Sequence, residues 1–213
     1  MFINIYFIKS FKDYLTYIYN KKTMSNFKDS PHFQTHNDYY TPKSAWENLK
    51  PFLVKKGYNK VFESFLLNSN EQSKKYLTEL GFNVIGNKTV NFLDNSTWDQ
   101  EMINKDYDII ISNPPFERIK SYKERHSNLK YKCIKKLIDN DKPFVVLMNS
   151  TNMFQKWFME LVEGKDIKFI FPSKKIEYDK YKEGGTEKEK SSGSCSFNSI
   201  YVTYKLLDKN EWI

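Results

Sequence analysis

Cysteine, histidine and glycine are scarce in this sequence of 213 residues, and long apolar runs are missing from it. Two cysteines, Cys133 and Cys195, cannot build a disulfide framework and do not have the spacing of metal ligands. The three histidines, His32, His36 and His126, lie in polar segments without mutual spacing, so we assign neither a metal nor a catalytic dyad to them. No apolar stretch approaches the ~20 residues of a membrane-spanning helix. We therefore expect a soluble, cytoplasmic protein that has no membrane partner.

The sequence is instead rich in aromatic and basic residues. Aromatic side chains make up 17% of the chain and hydrophobic side chains 39%, which is enough for a folded core and excludes disorder of the whole chain. Lysine and arginine outnumber acidic residues by 34 to 26, and the net charge of +8 favours a polyanionic partner. We predict an N-terminal extension over residues 1–37, partly disordered or helical, and a single domain over residues 38–213.

Strand patterns and helix patterns alternate along the predicted domain. Apolar runs rich in β-branched and aromatic residues predict strands at residues 60–67, 82–85, 107–112, 143–148, 167–171 and 199–204, the last of them half-buried. Helices are predicted from a cap at Thr41 to a point before Pro51, at about residues 71–80 and at residues 152–162. A basic helix follows the strand at 107–112. The alternation predicts an α/β fold, a mainly parallel sheet with helices on both faces, and a C-terminal antiparallel hairpin around a mobile loop at 173–196.

The segment Asn113-Pro114-Pro115-Phe116 directly follows the buried strand predicted at residues 107–112. Its two prolines end the strand and fix an extended turn, which directs the Asn113 amide and the Pro114 carbonyl outward. An amine on an aromatic ring needs acceptors for its two hydrogens and an aromatic face for the ring. Asn113, Pro114 and Phe116 can supply them, so the motif in this context predicts a site for such an amine. The alternative is a strand-ending turn with a buried Phe116.

With these residues, the sequence resembles the class I S-adenosylmethionine-dependent methyltransferases that modify the N6 amine of adenine, in particular a compact group from phages and large DNA viruses. The resemblance covers most of the chain from about Tyr39 onward. Besides 113–116, the matching segments are residues 38–43 with 45–46, Glu63 with Phe65, and residues 76–85, 108–112, 142–144 and 196–201. The resemblance implies a Rossmann-like class I methyltransferase fold, S-adenosylmethionine as cofactor, and a location in the host cytoplasm or the virion.

The resemblance also implies roles for individual residues. The segment 113–116 would be catalytic: Asn113 and Pro114 would bind the target amine, and Phe116 would stack on a base that has left the duplex or is single-stranded. Glu63, the acidic residue that ends the first strand, would bind the cofactor. Three residues at the start of the first helix would line the cofactor pocket: Tyr40, Thr41 and Pro42.

The sequence departs from the family's pattern after the first strand. The family has a glycine-rich turn there, whereas this chain has no glycine between Gly57 and Gly81. Asn68 and Asn70 can adopt left-handed conformations and replace glycine in geometry, although their side chains occupy space that the cofactor needs. Asn87 follows the second strand, where the family has an acidic residue for the ribose, and it can still hydrogen-bond to ribose.

Positive charge is concentrated after the predicted base site. Residues 117–142 hold nine Lys or Arg against four Asp or Glu, a net charge of +5. This position favours contacts with a phosphate backbone, which weaken as salt rises. A solvated helix face is the alternative. The candidate nucleic-acid-binding residues are Lys120, Lys123, Arg125, Lys132, Lys135 and Lys136, with a second pair after a later strand, Lys174 and Lys175.

Three functions fit the sequence. The first is an adenine-N6 methyltransferase that acts on DNA or RNA. The second is a catalytically inactive methyltransferase-fold protein that binds nucleic acid or a protein partner, which the glycine-free loop favours. The third is a methyltransferase acting on a protein glutamine, which the net charge of residues 117–142 disfavours. Because we see no separate target-recognition domain, we expect specificity to be loose, to come from the 173–196 loop or to be supplied by a partner.

Overall fold

The structure, a computed structural model, describes residues 39–64, 71–86, 106–114, 129–180 and 197–213. All of them belong to one compact unit, Gln34–Ile213. The predicted extension at 1–37 and residues 181–196 of the predicted loop lie outside the described residues. The α-helices are α1 (Lys43–Lys55), α2 (Gln72–Glu79), α3 (Leu129–Asp139) and α4 (Lys156–Val162), and a 3₁₀ helix spans Ser150–Phe154.

The strands of the described residues form two sheets. They are β1 (Tyr39–Tyr40), β2 (Lys60–Glu63), β3 (Asn83–Ile85), β4 (Ile109–Ser112), β5 (Phe144–Asn149), β6 (Ile167–Phe171), β7 (Asp179–Lys180), β8 (Ser199–Tyr204) and β9 (Glu211–Trp212). The large sheet has the order β3-β2-β4-β5-β8-β6-β9, and β1 pairs with β7. Strands β2 to β5 are parallel to one another, whereas β8 is antiparallel to β5 and β6. The predicted α/β class is confirmed, and the sheet is mixed and mostly parallel.

Helices cover both faces of the large sheet. Alternate side chains of a strand point to opposite faces, so each central strand packs against a helix layer on either side. On one face, Ile111 of β4 belongs to a buried cluster with Leu49 of α1 and Leu77 of α2. On the other face, Phe158 of α4 contacts Phe169 of β6, with ring centroids 6.3 Å apart. Helix α3 packs beside α4. Because both faces of the central strands are buried, the sequences of these strands are continuous apolar runs rather than alternating ones.

Helix α1 continues to Lys55, so the prediction that it ends before Pro51 is wrong. Pro51 lacks the N–H that would bond to the Glu47 carbonyl, and a proline within a helix costs about 3 kcal/mol. Leu49 and Leu53, on either side of the proline, are fully buried in the core. Each contributes about 1.5–3 kcal/mol by burial. The helix passes through the proline because its last turn keeps Leu53 in the core.

The helix predicted at 152–162 is two helices. The 3₁₀ helix is separated from α4 by Gln155, whose backbone is extended. The Asn149 side chain accepts a hydrogen bond from the Thr151 N–H over 2.9 Å and so caps the 3₁₀ helix. A polar side chain that bonds to nearby backbone competes with regular helix, which explains the break.

The last long strand, β8, is buried along its whole length rather than half-buried as predicted. Its sequence alternates, but it lies inside the sheet between β5 and β6, and the side chains on both of its faces are buried, among them Tyr201, whose hydroxyl bonds to α1. The described part of the predicted loop at 173–196 is partly ordered, because β7 pairs with β1. None of the helices in the described ranges is long and apolar enough to cross a membrane.

Candidate functional site

The carboxyl ends of β2 and β4 form the switch point of the large sheet. The chain passes from β2 to β3 on one side, whereas β4 lies on the other side of β2. In open α/β sheets, ligands bind in the crevice outside the strand ends at such a point. The crevice here is formed by the last residues of the two strands, Glu63 and Ser112, and by the residues that follow them, Ser64 and Asn113.

A buried hydrogen bond joins the two strands in the crevice. Ser112 Oγ donates to Glu63 Oε1 over 2.7 Å. Only 2% of Glu63 and none of Ser112 is exposed. Glu63 pairs in register with Ile111, so Ser112 is one residue further along and reaches across to it. Because a carboxylate removed from water is costly unless it accepts hydrogen bonds, Ser112 stabilises the buried Glu63 and fixes the position of one of its oxygens.

Two other atoms of the crevice are buried without a hydrogen-bond partner among the described residues. They are Ser64 Oγ and Asn113 Oδ1. A buried polar atom left without a partner costs about 1–3 kcal/mol, and such atoms are few in folded proteins. Ser64 and Asn113 follow neighbouring strands, so these two acceptor or donor atoms are what the described part of the crevice offers to a ligand.

A small apolar pocket adjoins the crevice at Pro114. Its walls come from α3, β5, the 3₁₀ helix and the turn after β4, and its residues are Pro114, Lys130, Ile134, Leu147, Met148 and Asn152. Asn152 Nδ2 donates to the Asn149 carbonyl over 2.8 Å, which fixes the Asn152 amide. Pro114 thus connects an apolar pocket with the polar crevice.

Other titratable groups of the described residues offer no competing chemistry. Burial raises the pKa of the Cys133 thiol on α3 to about 12, so this thiol stays protonated at neutral pH and is not a nucleophile. In the ranges that the structure describes, no three His, Cys, Asp or Glu side chains are grouped as they would be around a metal ion. All three histidines of the sequence lie outside those ranges. The crevice is therefore the best candidate site.

The predicted cofactor residues Tyr40, Thr41 and Pro42 lie at the junction of β1 and α1. Thr41 is buried, and Pro42 is the cap of α1 in place of Thr41, without a side-chain hydrogen bond. The hydroxyl of Tyr201 on β8 donates to the Ala45 carbonyl over 2.8 Å and fixes the first turn of α1 over the sheet. These residues thus precede α1, the helix that Tyr201 ties to the sheet.

The predicted basic residues that are described lie on two elements. Lys132 and Lys135 are exposed on α3, and Lys136 is partly buried there. Lys135 forms an ion pair with Asp139 one turn along the helix, so its positive charge is partly compensated. The second pair, Lys174 and Lys175, follows β6 and is exposed.

The remaining predicted site residues lie outside the described residues: Asn68, Asn70, Asn87, Pro115, Phe116, Lys120, Lys123 and Arg125. The residue that follows the glycine-free loop, Glu71, is described. Its φ of 40° is left-handed, a conformation that favours glycine. The need for such a conformation before α2 is thus met by a glutamate.

Sequence reasoning missed Ser64 and Ser112. Both are polar residues at the end of an apolar strand, which is the available signal, but a serine there is equally consistent with a simple turn. No model of a protein family matches this sequence, and no curated protein is significantly similar to it. The geometry of the crevice is therefore what the functional interpretation rests on.

Proposed function

We propose that this protein is an S-adenosylmethionine-dependent methyltransferase that transfers a methyl group to the N6 amine of adenine in DNA or RNA. The observation that carries the proposal is the buried Asn113 Oδ1, which has no donor partner among the described residues and lies at the carboxyl end of a central parallel strand. An exocyclic amine can donate a hydrogen bond to this Asn113 oxygen, which accepts none from the described residues. The mostly parallel sheet and its C-terminal antiparallel pairing are compatible with the Rossmann-like fold that this function implies.

The crevice fits the proposed cofactor in its donor and acceptor set. Glu63 provides a buried carboxylate for hydroxyl or ammonium groups, and Ser64 Oγ is a second buried polar atom without a partner among the described residues. When bound, S-adenosylmethionine supplies a methyl group on a positively charged sulfur, which is a good leaving group. Asn113 Oδ1 and the Pro114 carbonyl orient the amine.

A second candidate function is an inactive methyltransferase-fold protein that binds nucleic acid or a protein partner. The left-handed Glu71 favours it, because a glutamate side chain stands at the entrance to α2, where a glycine would leave room for a ligand. The exposed lysines of α3 provide the surface for phosphate contacts in both functions.

Calorimetric titration of the protein with S-adenosylmethionine and S-adenosylhomocysteine separates the two functions. We expect micromolar binding, which corresponds to about −8 kcal/mol. Methyl transfer is then measured on adenine-containing DNA and RNA, with cytosine-only oligonucleotides and a glutamine peptide as controls. No binding at millimolar cofactor, together with retained binding of nucleic acid, would reject the enzyme and establish the second function.

A further inference from the structure

We infer that Ser112 is a positioning residue of the site: through its hydrogen bond it holds the Glu63 carboxylate in the orientation that binds the cofactor. This inference rests on the proposed function and extends it to a residue outside the predicted site. The bond joins Ser112 Oγ to Glu63 Oε1 over 2.7 Å, and both side chains are buried. It is therefore shielded from solvent, where water would otherwise replace the serine hydroxyl as donor.

The bond between Ser112 and Glu63 connects the two strand ends that carry the proposed amine-binding and cofactor-binding residues. Ser112 ends β4 and directly precedes Asn113, whereas Glu63 ends β2. The bond thus ties the strand end that carries the proposed amine acceptor to the strand end that carries the proposed cofactor carboxylate. Because β2 and β4 are hydrogen-bonded in parallel register up to the Glu63–Ile111 pair, the backbone holds both residues rigidly. A side chain on such a scaffold positions its partner accurately.

Loss of the hydroxyl affects the carboxylate in two ways. A buried carboxylate that loses a donor is destabilised, and it gains freedom to adopt other rotamers. Both effects weaken the binding of hydroxyl or ammonium groups by Glu63. We therefore expect Ser112→Ala to weaken cofactor binding about tenfold, while Ser112→Thr, which keeps a hydroxyl at the same position, retains binding close to that of the wild type.

The matched control is Thr203→Val on β8. Thr203 is also fully buried, and its Oγ1 donates to the Lys168 carbonyl over 3.0 Å, outside the crevice. Thr203→Val and Ser112→Ala each delete one buried hydroxyl and one hydrogen bond, so both are expected to lower the melting temperature by a few degrees. Only Ser112→Ala is expected to weaken the binding of S-adenosylmethionine.

A double-mutant cycle with Glu63→Gln tests whether Ser112 acts through Glu63. The full-length wild type, both single variants and the double variant are titrated with S-adenosylhomocysteine by calorimetry. If Ser112 acts through the carboxylate, Ser112→Ala has little further effect in the Glu63→Gln background. Additive losses, or a Ser112→Ala variant that binds the cofactor as tightly as the wild type does, would overturn this inference alone. A wild-type protein that binds no cofactor would overturn the proposed function as well.

Discussion

The polar groups at the amino ends of the parallel strands differ in their pairing from those at the carboxyl ends. We call these two sides of the large sheet the amino edge and the carboxyl edge. At the amino edge, where β2, β4 and β5 begin, polar side chains are paired: Asp108 Oδ2 accepts hydrogen bonds from the backbone N–H groups of Asn59 and Lys60, each over 2.7 Å. At the carboxyl edge, Ser64 Oγ and Asn113 Oδ1 are buried and have no partner among the described residues. The same strands thus have paired polar groups at one end, and at the other end the bonded Ser112 and Glu63 together with two buried atoms that have no such partner.

This difference separates stability from function. Paired polar groups at the amino edge join β2 to β4 and stabilise the start of the sheet. Unpaired groups at the carboxyl edge destabilise the folded protein and are retained where a ligand can satisfy them. We therefore expect substitutions at the amino edge to lower stability with little effect on cofactor binding, and substitution of an unpaired group of the crevice to impair function with little loss of stability.

The largest effect is expected for Asn113→Ala. Removal of the amine acceptor should lower methyl transfer about a hundredfold or more, because the acceptor acts on the reacting group itself. Cofactor affinity and the free energy of unfolding should stay close to those of the wild type, since Asn113 Oδ1 has no partner to lose within the described residues. Transfer assays, calorimetry and urea unfolding measure the three quantities.

Two variants sharpen the Asn113 test. Asn113→Asp keeps an oxygen acceptor and should retain more transfer than Asn113→Ala. Asn210→Ala removes an asparagine whose Oδ1 does have a partner, the Phe169 N–H at 2.9 Å, so it should lower stability and leave transfer unchanged. Transfer that survives in Asn113→Ala would reject the role of Asn113 as amine acceptor.

At the amino edge, Asp108→Ala should lower the free energy of unfolding by about 2–3 kcal/mol, because two backbone N–H groups lose a charged acceptor. Cofactor binding should be unchanged. Asp106 is the control: it is largely exposed and pairs with Lys60 at the surface, so Asp106→Ala should have a much smaller effect. A loss of cofactor affinity in a stable Asp108→Ala protein would contradict the separation of the two edges.

A smaller effect is expected on the α3 surface. Replacement of Lys132, Lys135 and Lys136 by alanine should weaken nucleic-acid binding and lower the slope of log K against log salt by about 2. Lys135→Ala alone should contribute least, since Asp139 already compensates its charge. Exposed lysines elsewhere, Lys55, Lys56 and Lys209, provide a triple variant of equal charge. Equal slopes for the two triple variants would make α3 an ordinary solvated face.

The smallest effect concerns the ion pair between Asp141 and Lys205 at the amino edge. Lys205, and next Tyr204, hold the pKa of Asp141 below its ordinary value. A lowered pKa in the folded state stabilises the protein above the ordinary pKa of aspartate, and this contribution is lost as the pH falls through the lowered value. Asp141→Asn should therefore melt slightly below the wild type at pH 7, and the gap should close as the pH falls through the lowered pKa of Asp141.

A matched control for Asp141 is Asp208→Asn. Asp208 is 92% exposed and lies 3.7 Å from Lys56, so no difference in melting temperature is expected at either pH. A gap between wild type and Asp141→Asn that persists at low pH would show that the variant acts by something other than loss of the charged pair.

Much of the local structure could be predicted from the sequence. The strand at Ile167–Phe171 has the predicted bounds. The apolar run defines its length, and the proline that follows ends it because proline has no backbone N–H to donate. Helix α2 ends as predicted before Gly81, whose φ of 95° requires glycine. Strand β4 ends before Asn113, as the prolines that follow it predict. In each case the residues that decide the structure are neighbours in the chain.

Features that depend on distant residues could not be predicted. The sequence of β8 alternates like a half-buried strand, and only the packing on both faces of the sheet at this central position buries it. Pro51 predicts the end of a helix by its local sequence. The helix continues beyond it because burial of Leu53 in the core stabilises the last turn. The bond between Ser112 and Glu63 joins residues 49 apart in the chain, so no local pattern announces it.

The sequence by itself therefore determined the α/β class and most strand and helix positions, because side-chain periodicity and proline restrict the backbone over a few residues, whereas the role of Asn113 stays a prediction. Only the tertiary structure decided the strand order, the switch point between β2 and β4 and the crevice in which Glu63, Ser64, Ser112 and Asn113 meet. These depend on which strands pair and on which polar atoms the packed core deprives of water. Burial and pairing are properties of the whole fold, and they are what turns four separate residues into one candidate site.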